Sequence, residues 1–403
     1  MIGEVITVGT ELLLGQIVNS NAAVIGARLA DEGFDAHFHV TVGDNLGRLS
    51  AAIRTALSRA DAVIITGGIG PTQDDLTKDA LCAVTGQTMV RDTDHAEQIR
   101  ARVRTMGGPA PTSALRMAEY PSGAEPLPNR NGTALGVALK HHGKLIFAVP
   151  GVPREMTVML DEQVLPRLRA AVDAPTVLRS RVIKTWGHGE SQIADLLADL
   201  YESVNPSLAY LIDETEVRVR ISAKADDEAA AFALMTPMQR EVERRLAGVI
   251  FGHDDDTGIS VLGRALDDRG WTVAVAEVAT AGLLSARLAG SGSAPFAGGL
   301  TEPGARQTVE LARRAAQQFS ASVAVGIGEG SFVEGDARTS TAIPIAVITP
   351  DGVAEQTLRV LGDGERARTH AASAAVHVVR LAVQGRSLPN DSFWALPSGS
   401  GGR

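Results

Sequence analysis

Two runs of this chain place glycine, threonine and carboxylate side chains directly after an apolar stretch, a combination suited to holding phosphate. The first, Ala62 to Ala80, reads AVIITGGIGPTQDDLTKDA. Gly67, Gly68 and Gly70 allow a sharp turn that leaves backbone N–H groups uncovered, and Thr72 adds a hydroxyl. Such a turn entering a helix is an anion cradle, because unpaired N–H groups and the helix dipole face the same point. Asp74 and Asp75 follow at once. They supply the oxygen ligands a divalent ion takes where it meets a phosphorylated ligand. The second run, Val5 to Gln16, reads VITVGTELLLGQ and ends its apolar part in Gly9-Thr10-Glu11. A tight turn with dipole compensation would explain either run taken alone. Together they point to one crevice, since ligands of open α/β sheets sit beyond the carboxyl ends of the strands.

The elements that must position these residues are legible in the spacing of apolar side chains. Ala62 to Thr66 is a short β-branched run bounded by a turn signal, which reads as a buried strand. Asn19-Ser20-Asn21 offers caps to a helix over Ala22 to Asp31, and Asp44-Asn45 caps a helix that reaches Arg59. Phe34 to Val42 is a strand between them, and the acidic pair at Asp74 reads as the first turn of a further helix. This alternation implies a parallel sheet covered on both faces. Leu135 to Lys140 and Lys144 to Val149 read as strands joined by His141-His142-Gly143, a polar hairpin turn rather than a metal site. Pro150 to Glu155 then opens a helix to Ala171, with Arg154 placed as a phosphate contact and Glu155 as dipole compensation.

The 403 residues accommodate two or three domains. Residues 1–172 read as an α/β domain, 173–252 as a small α+β module and 257–385 as a second α/β domain. Residues 386–403, rich in Gly, Ser and Pro, read as a disordered tail. Trp186-Gly187-His188-Gly189 reads as a strand-to-helix turn with a packed tryptophan. A net charge of −9 argues against a protein that coats nucleic acid. Cys82 is the one cysteine, so neither an intramolecular disulfide nor a cysteine-rich zinc site can form. No basic leader precedes the first strand, and no apolar run approaches the ~20 residues of a membrane span. A soluble, cytoplasmic protein without membrane partners is expected.

The runs VITVGTELLLGQIVNSNA, TVGDN, TGGIGPTQDDLTKDA, GTALG and VPGVPREM occur in this order. In this the chain resembles the competence/damage-inducible protein CinA family over about its first 160 residues. The resemblance implies a molybdopterin-binding-like first domain, a KH-like middle domain and a C-terminal domain related to nicotinamide mononucleotide deamidases. It further implies hydrolysis of the pyrophosphate bond of ADP-ribose or a related dinucleotide, assisted by magnesium, manganese or cobalt, in a homodimer. Carried over, it puts Thr10, Gly67, Gly68, Gly70 and Thr72 on phosphate, with Asp75 on the metal. Asp74 becomes support or a water-mediated second ligand, and Glu11 orients the attacking water or completes the metal shell. Adjacent helical positions point about 100° apart, so both aspartates reach one ion only if their helix starts late.

The same resemblance implies that the C-terminal domain has lost its deamidase. Where active relatives carry Glu-Ser-Cys-Thr-Gly-Gly, this chain has Glu277-Val278-Ala279-Thr280-Ala281-Gly282, so the nucleophilic serine position is Val278. Leu300 to Arg306 and Gly326 to Gly330 also depart from the active pattern. Ser285 and Thr280 are the hydroxyls that could stand in as nucleophile. Two other classes of function compete with the hydrolase: a non-catalytic nucleotide or molybdopterin binder, and a scaffold in competence or DNA-damage response. A binder needs only the N–H cradle, whereas a hydrolase also needs the carboxylates.

Overall fold

The computed structural model describes residues 1–403 except 106, 107, 110, 173–175, 214, 293, 303, 305, 306, 334–338, 389–391, 393 and 395–403. The chain divides into two units, residues 1–179 with 224–232 and residues 180–223 with 233–403.

In the first unit the strand Ile2–Val8 lies between Asp35–Val42 and Ala62–Thr66, parallel to both. Lys144–Val149 continues the parallel set beside Ala62–Thr66. The chain enters this strand through His142 and Gly143, both at positive φ, as a two-residue hairpin requires. That hairpin adds Gly136–His141 antiparallel, and Glu125–Leu127 closes the edge, also antiparallel. Strand residues alternate between two apolar layers, as the pleat dictates. Ile6, Val63 and Ile65 pack with Leu49 and Ile53 of the helix Leu46–Arg59. Val5, Ile64 and Phe147 pack with Ile25 and Leu29 of the helix Ser20–Asp31 and with Met156 and Leu160. Both faces are therefore covered, and the carboxyl ends of the parallel strands are left for loops. Asn19 and Asn45 cap their helices through side-chain acceptors, as their types suggest.

The second unit holds a four-stranded sheet in the order Ser207–Asp213, Glu216–Ala225, Val177–Thr185, Ile250–His253. It also holds a sheet in which Val273–Glu277 pairs parallel with Phe296–Thr301 and Val323–Ile327, and Ser340–Thr349 runs antiparallel to Val323–Ile327. Trp186 and Phe251 of the small module belong to the same apolar cluster as the helices Gly258–Asp267 and Gly364–Val383. Trp186 is packed as expected, stacked on His377. Within residues 386–403, Trp394 is 4% exposed and lies parallel to Trp186 with ring centroids 6.2 Å apart. The Ser392 hydroxyl donates to the Gly187 carbonyl. A large aromatic anchors this segment, which a reading by bulk composition overlooks. The rest of the expected tail, residues 395–403, lies outside the described residues.

Candidate functional site

The first unit's site grows from the alignment of strand ends. Gly9 N–H donates to Val42 O and Gly67 N–H to Val149 O, so four parallel strands finish at one level. Gly67 and Gly68 take φ of +101° and +66°. A side-chain carbon on Gly67 would stand 2.4 Å from the Val8 carbonyl oxygen, so the loop can cross the first strand only as glycine. The Thr77 hydroxyl donates to Gly67 O and its N–H to Gly68 O, tying the loop to the next helix. Among the described residues, no internal acceptor meets the amides of Gly68, Ile69 and Gly70. They border a cavity of about 560 Å³ together with Glu11, Asp75, Glu155 and Arg102.

Three carboxylates line this cavity, each against a glycine. Side-chain carbons at Gly9, Gly70 and Gly132 would stand 2.4 Å from Glu11, 2.7 Å from Asp75 and 2.1 Å from Glu155. The helix after the loop begins at Thr77 rather than at Asp74, which corrects the expected boundary and meets the condition of a late start. Asp75 sits in the preceding turn, where its Oδ2 accepts from the Thr72 amide and hydroxyl. Thr72 thus spends its hydroxyl on Asp75 and is not part of the cavity wall. Asp74 is exposed and also off the wall. Thr10 turns to Asp44, donating through both its amide and its hydroxyl, and stays out of the cavity.

The chain matches a family model described as "Probable molybdopterin binding domain" over residues 4–170 and one described as "Damage-inducible protein CinA KH domain" over residues 180–252. It is 36% identical over 434 aligned positions to a CinA-like protein of Frankia casuarinae, covering 99% of this chain and 100% of that one. The chain belongs to the CinA family. A CinA-like protein of Deinococcus radiodurans is 42% identical across 72% of this chain and 71% of its own. The solved structure of a CinA protein of unknown function from Thermoplasma acidophilum is 34% identical, covers 42% of this chain and 98% of its own, and has a TM-score of 0.39.

Two further residues of this CinA chain were assigned differently by sequence. Arg154 is exposed and off the cavity wall, whereas its neighbour Glu155 lines the wall and accepts from the Asn129 amide at 2.6 Å. One residue along the helix Pro153–Met159 rotates the side chain by about 100°, so only one of the two can face inward. The cation the wall does carry is Arg102, 3.4 Å from Gly132 O and Thr133 Oγ1. It lies on a charged amphipathic helix, Thr93–Thr105, where nothing marks it from other surface arginines. Lys78, on the helix Thr77–Thr85, is 5% exposed, donates to Met117 O and is off the wall.

A divalent ion fits this donor set in one way. No group of three or more metal-ligating side chains converges among the described residues, so there is no all-protein cage. Asp75 and Glu155 each engage one carboxylate oxygen in hydrogen bonds, which leaves the other oriented and available. Magnesium-like ions are held in this manner, by one or two carboxylates with substrate phosphates and water completing the shell.

The C-terminal site is closed by its own hydrogen bonds. Glu277 is fully buried; Oε1 accepts from the Ser285 amide and hydroxyl, and Oε2 from Leu284 N–H and the Thr280 hydroxyl. The amides of Val278 and Ala279 donate to Ile327 and Gly328 carbonyls. Of the departing segment Leu300 to Arg306, residues 303, 305 and 306 lie outside the described residues.

Proposed function

We propose that the first unit hydrolyses the pyrophosphate bond of ADP-ribose or a related nicotinamide or adenine dinucleotide with a divalent metal, magnesium, manganese or cobalt. The observation that supports this is the cavity itself, which is lined by three loop amides without an internal acceptor, by three carboxylates and by Arg102. The amides of Gly68, Ile69 and Gly70 would stabilise charge building on phosphate oxygens as the bridging bond breaks. Asp75, with Glu155 or Glu11 beside it, would hold the ion, which supplies neutralisation of the clustered negative charge. Glu11, at the end of the first strand, would orient the attacking water. Arg102 would pair with the second phosphate. The C-terminal domain has no deamidase activity in this reading, and the chain is a cytoplasmic homodimer without nucleic-acid partners.

The test is product analysis of ADP-ribose, NAD and related pyrophosphates incubated with each metal and with chelator. AMP and the matching second phosphate are expected, only with metal. Asp75→Ala is expected to lower the rate on the order of 10² to 10³-fold, the scale of a lost electrostatic stabiliser. An Asp75→Ala protein as fast as its parent overturns the site. Tight binding of every dinucleotide without turnover leaves the non-catalytic binder, and no binding at all leaves the scaffold.

A further inference from the structure

Asp75 reaches the cavity from a stretch that precedes the helix starting at Thr77. Its amide bond to Thr72 O is long, at 3.3 Å, and among the described residues no backbone amide meets its carbonyl. A carboxylate on such a turn is only as fixed as the contacts that hold its main chain. The donor to that carbonyl is Arg116, whose Nη2 stands 3.1 Å from Asp75 O and 3.0 Å from Asp79 Oδ2. Arg116 comes from the short helical turn Thr112–Ala118, which is firmly packed. Leu115 and Ala118 are buried with Ala96 and Ile99 of the helix Thr93–Thr105, and Met117 O accepts from Leu135 N–H at 2.9 Å. Met117 lines the cavity but Arg116 does not. The guanidinium therefore ties the Asp75 turn to a packed element while staying off the cavity wall.

Partners that orient a ligating side chain govern metal affinity alongside the ligands themselves. Magnesium-like ions demand near-octahedral geometry, so a carboxylate free to shift loses the ion before the loop amides lose a phosphate. One oxygen of Asp75 is fixed by Thr72. The direction of the other follows from where the main chain of Asp75 lies. We propose that Arg116 is the positioning residue of this site: bridging the Asp75 carbonyl and the Asp79 carboxylate, it fixes the available Asp75 oxygen for a divalent ion. The inference rests on the metal reading of Asp75 and adds the residue that sets its geometry. Both contacts leave from one nitrogen. A lysine ammonium can therefore make them, whereas a bidentate arginine site would not accept that exchange.

Titration of the full chain with manganese, followed by the electron paramagnetic resonance of the free ion, tests it. Binding of inorganic pyrophosphate in chelator is measured beside it. Arg116→Met is expected to weaken manganese binding by about 10 to 100-fold, the range for a lost partner of a metal ligand. Arg116→Lys is expected to restore it, and both variants to keep the parent's pyrophosphate affinity. An arginine that serves the fold alone would lower manganese and pyrophosphate binding together, without rescue by lysine, and that pattern overturns the inference. Parental manganese affinity in Arg116→Met overturns it too and leaves the metal site standing. Asp79→Ala, at a partly exposed residue, loosens the same guanidinium and gives a second measure should Arg116→Met fold poorly. An affinity between those of the parent and Arg116→Met is expected there, and a parental one overturns the bridge. Manganese held no better by the parent than by Asp75→Ala refutes the metal reading, and the inference with it.

Discussion

Lys78 is the second residue of the helix that follows the glycine loop, yet it is buried. Burial, the largest influence, pushes its ammonium down to about 8, against the opposing pull of Glu119, Asp75 and Asp79. Below pH 8 the amine is charged in both folded and unfolded chains, and the folded state carries the whole burial penalty. Between pH 8 and 10.5 the unfolded chain keeps a proton the folded protein has released, so stability rises with pH through that window. The rise is on the order of 3 kcal/mol for a shift of this size. Lys78→Met is expected to be more stable than the parent at pH 7 and to lose this rise, measured by urea unfolding at pH 7 and pH 10 in chelator. An unchanged difference between the two pH values would show that Lys78 is not the titrating group. Glu277 makes the opposite case among acidic residues. It is the last residue of a parallel strand, whereas Glu11 lies just past one, and its oxygens are filled by Thr280, Leu284 and Ser285. With the Thr280 and Ser285 hydroxyls both donating to Glu277, and Val278 where the family resemblance implies a nucleophile, no ammonia release from nicotinamide mononucleotide is expected. Turnover that vanishes on Ser285→Ala would reverse that conclusion.

At the scale of elements, the loop between Thr66 and Thr77 is held by contacts that tolerate no side chain. Gly67 and Gly86 both lie at positive φ, at +101° and +71°. A carbon added at Gly86 meets nothing within 4 Å, whereas one at Gly67 runs into the Val8 carbonyl. Gly86→Ala is therefore expected to cost about 1 kcal/mol, from backbone strain alone. Gly67→Ala adds a backbone collision and is expected to cost about 3 kcal/mol or more. It should also weaken pyrophosphate binding. Equal costs in denaturant titrations would mean that the loop is not pressed against the first strand.

Across the molecule, the two units share out different work. The first keeps its strand ends open to a large polar cavity. The second spends its strand-end groups internally and draws Trp186, Phe251 and Trp394 into one apolar cluster with the C-terminal helix. A unit that has closed its site but kept a full core is suited to assembly, and a homodimer is proposed on that ground. Light scattering at micromolar concentration is expected to give twice the 42.1 kDa chain mass. Deleting residues 257–403 should leave a monomer if the second unit carries the contact. A single 42.1 kDa species from the full chain would remove the proposal.

What the sequence determined by itself was local. The apolar run of Ala62–Thr66, the glycines after it and the Asn19 and Asn45 caps act over a few residues, so these strands, turns and caps could be read in place. The family motifs are likewise contiguous, and the strand–helix alternation implied the parallel sheet. Tertiary structure decided which side chains share a cavity. Glu11, Asp75 and Glu155 meet because the first strand lies beside Ala62–Thr66, which in turn lies beside Lys144–Val149. A one-residue step on a helix separates Glu155 inside from Arg154 outside, and a helix start three residues late turns Asp75 inward while Asp74 stays exposed. The Asn21 amide takes its orientation from Thr66 and Gly151, distant in sequence. Trp394 is buried by residues some two hundred positions earlier. Spacing along a chain sets the direction of neighbours; only packing and strand order set which distant groups are left facing each other.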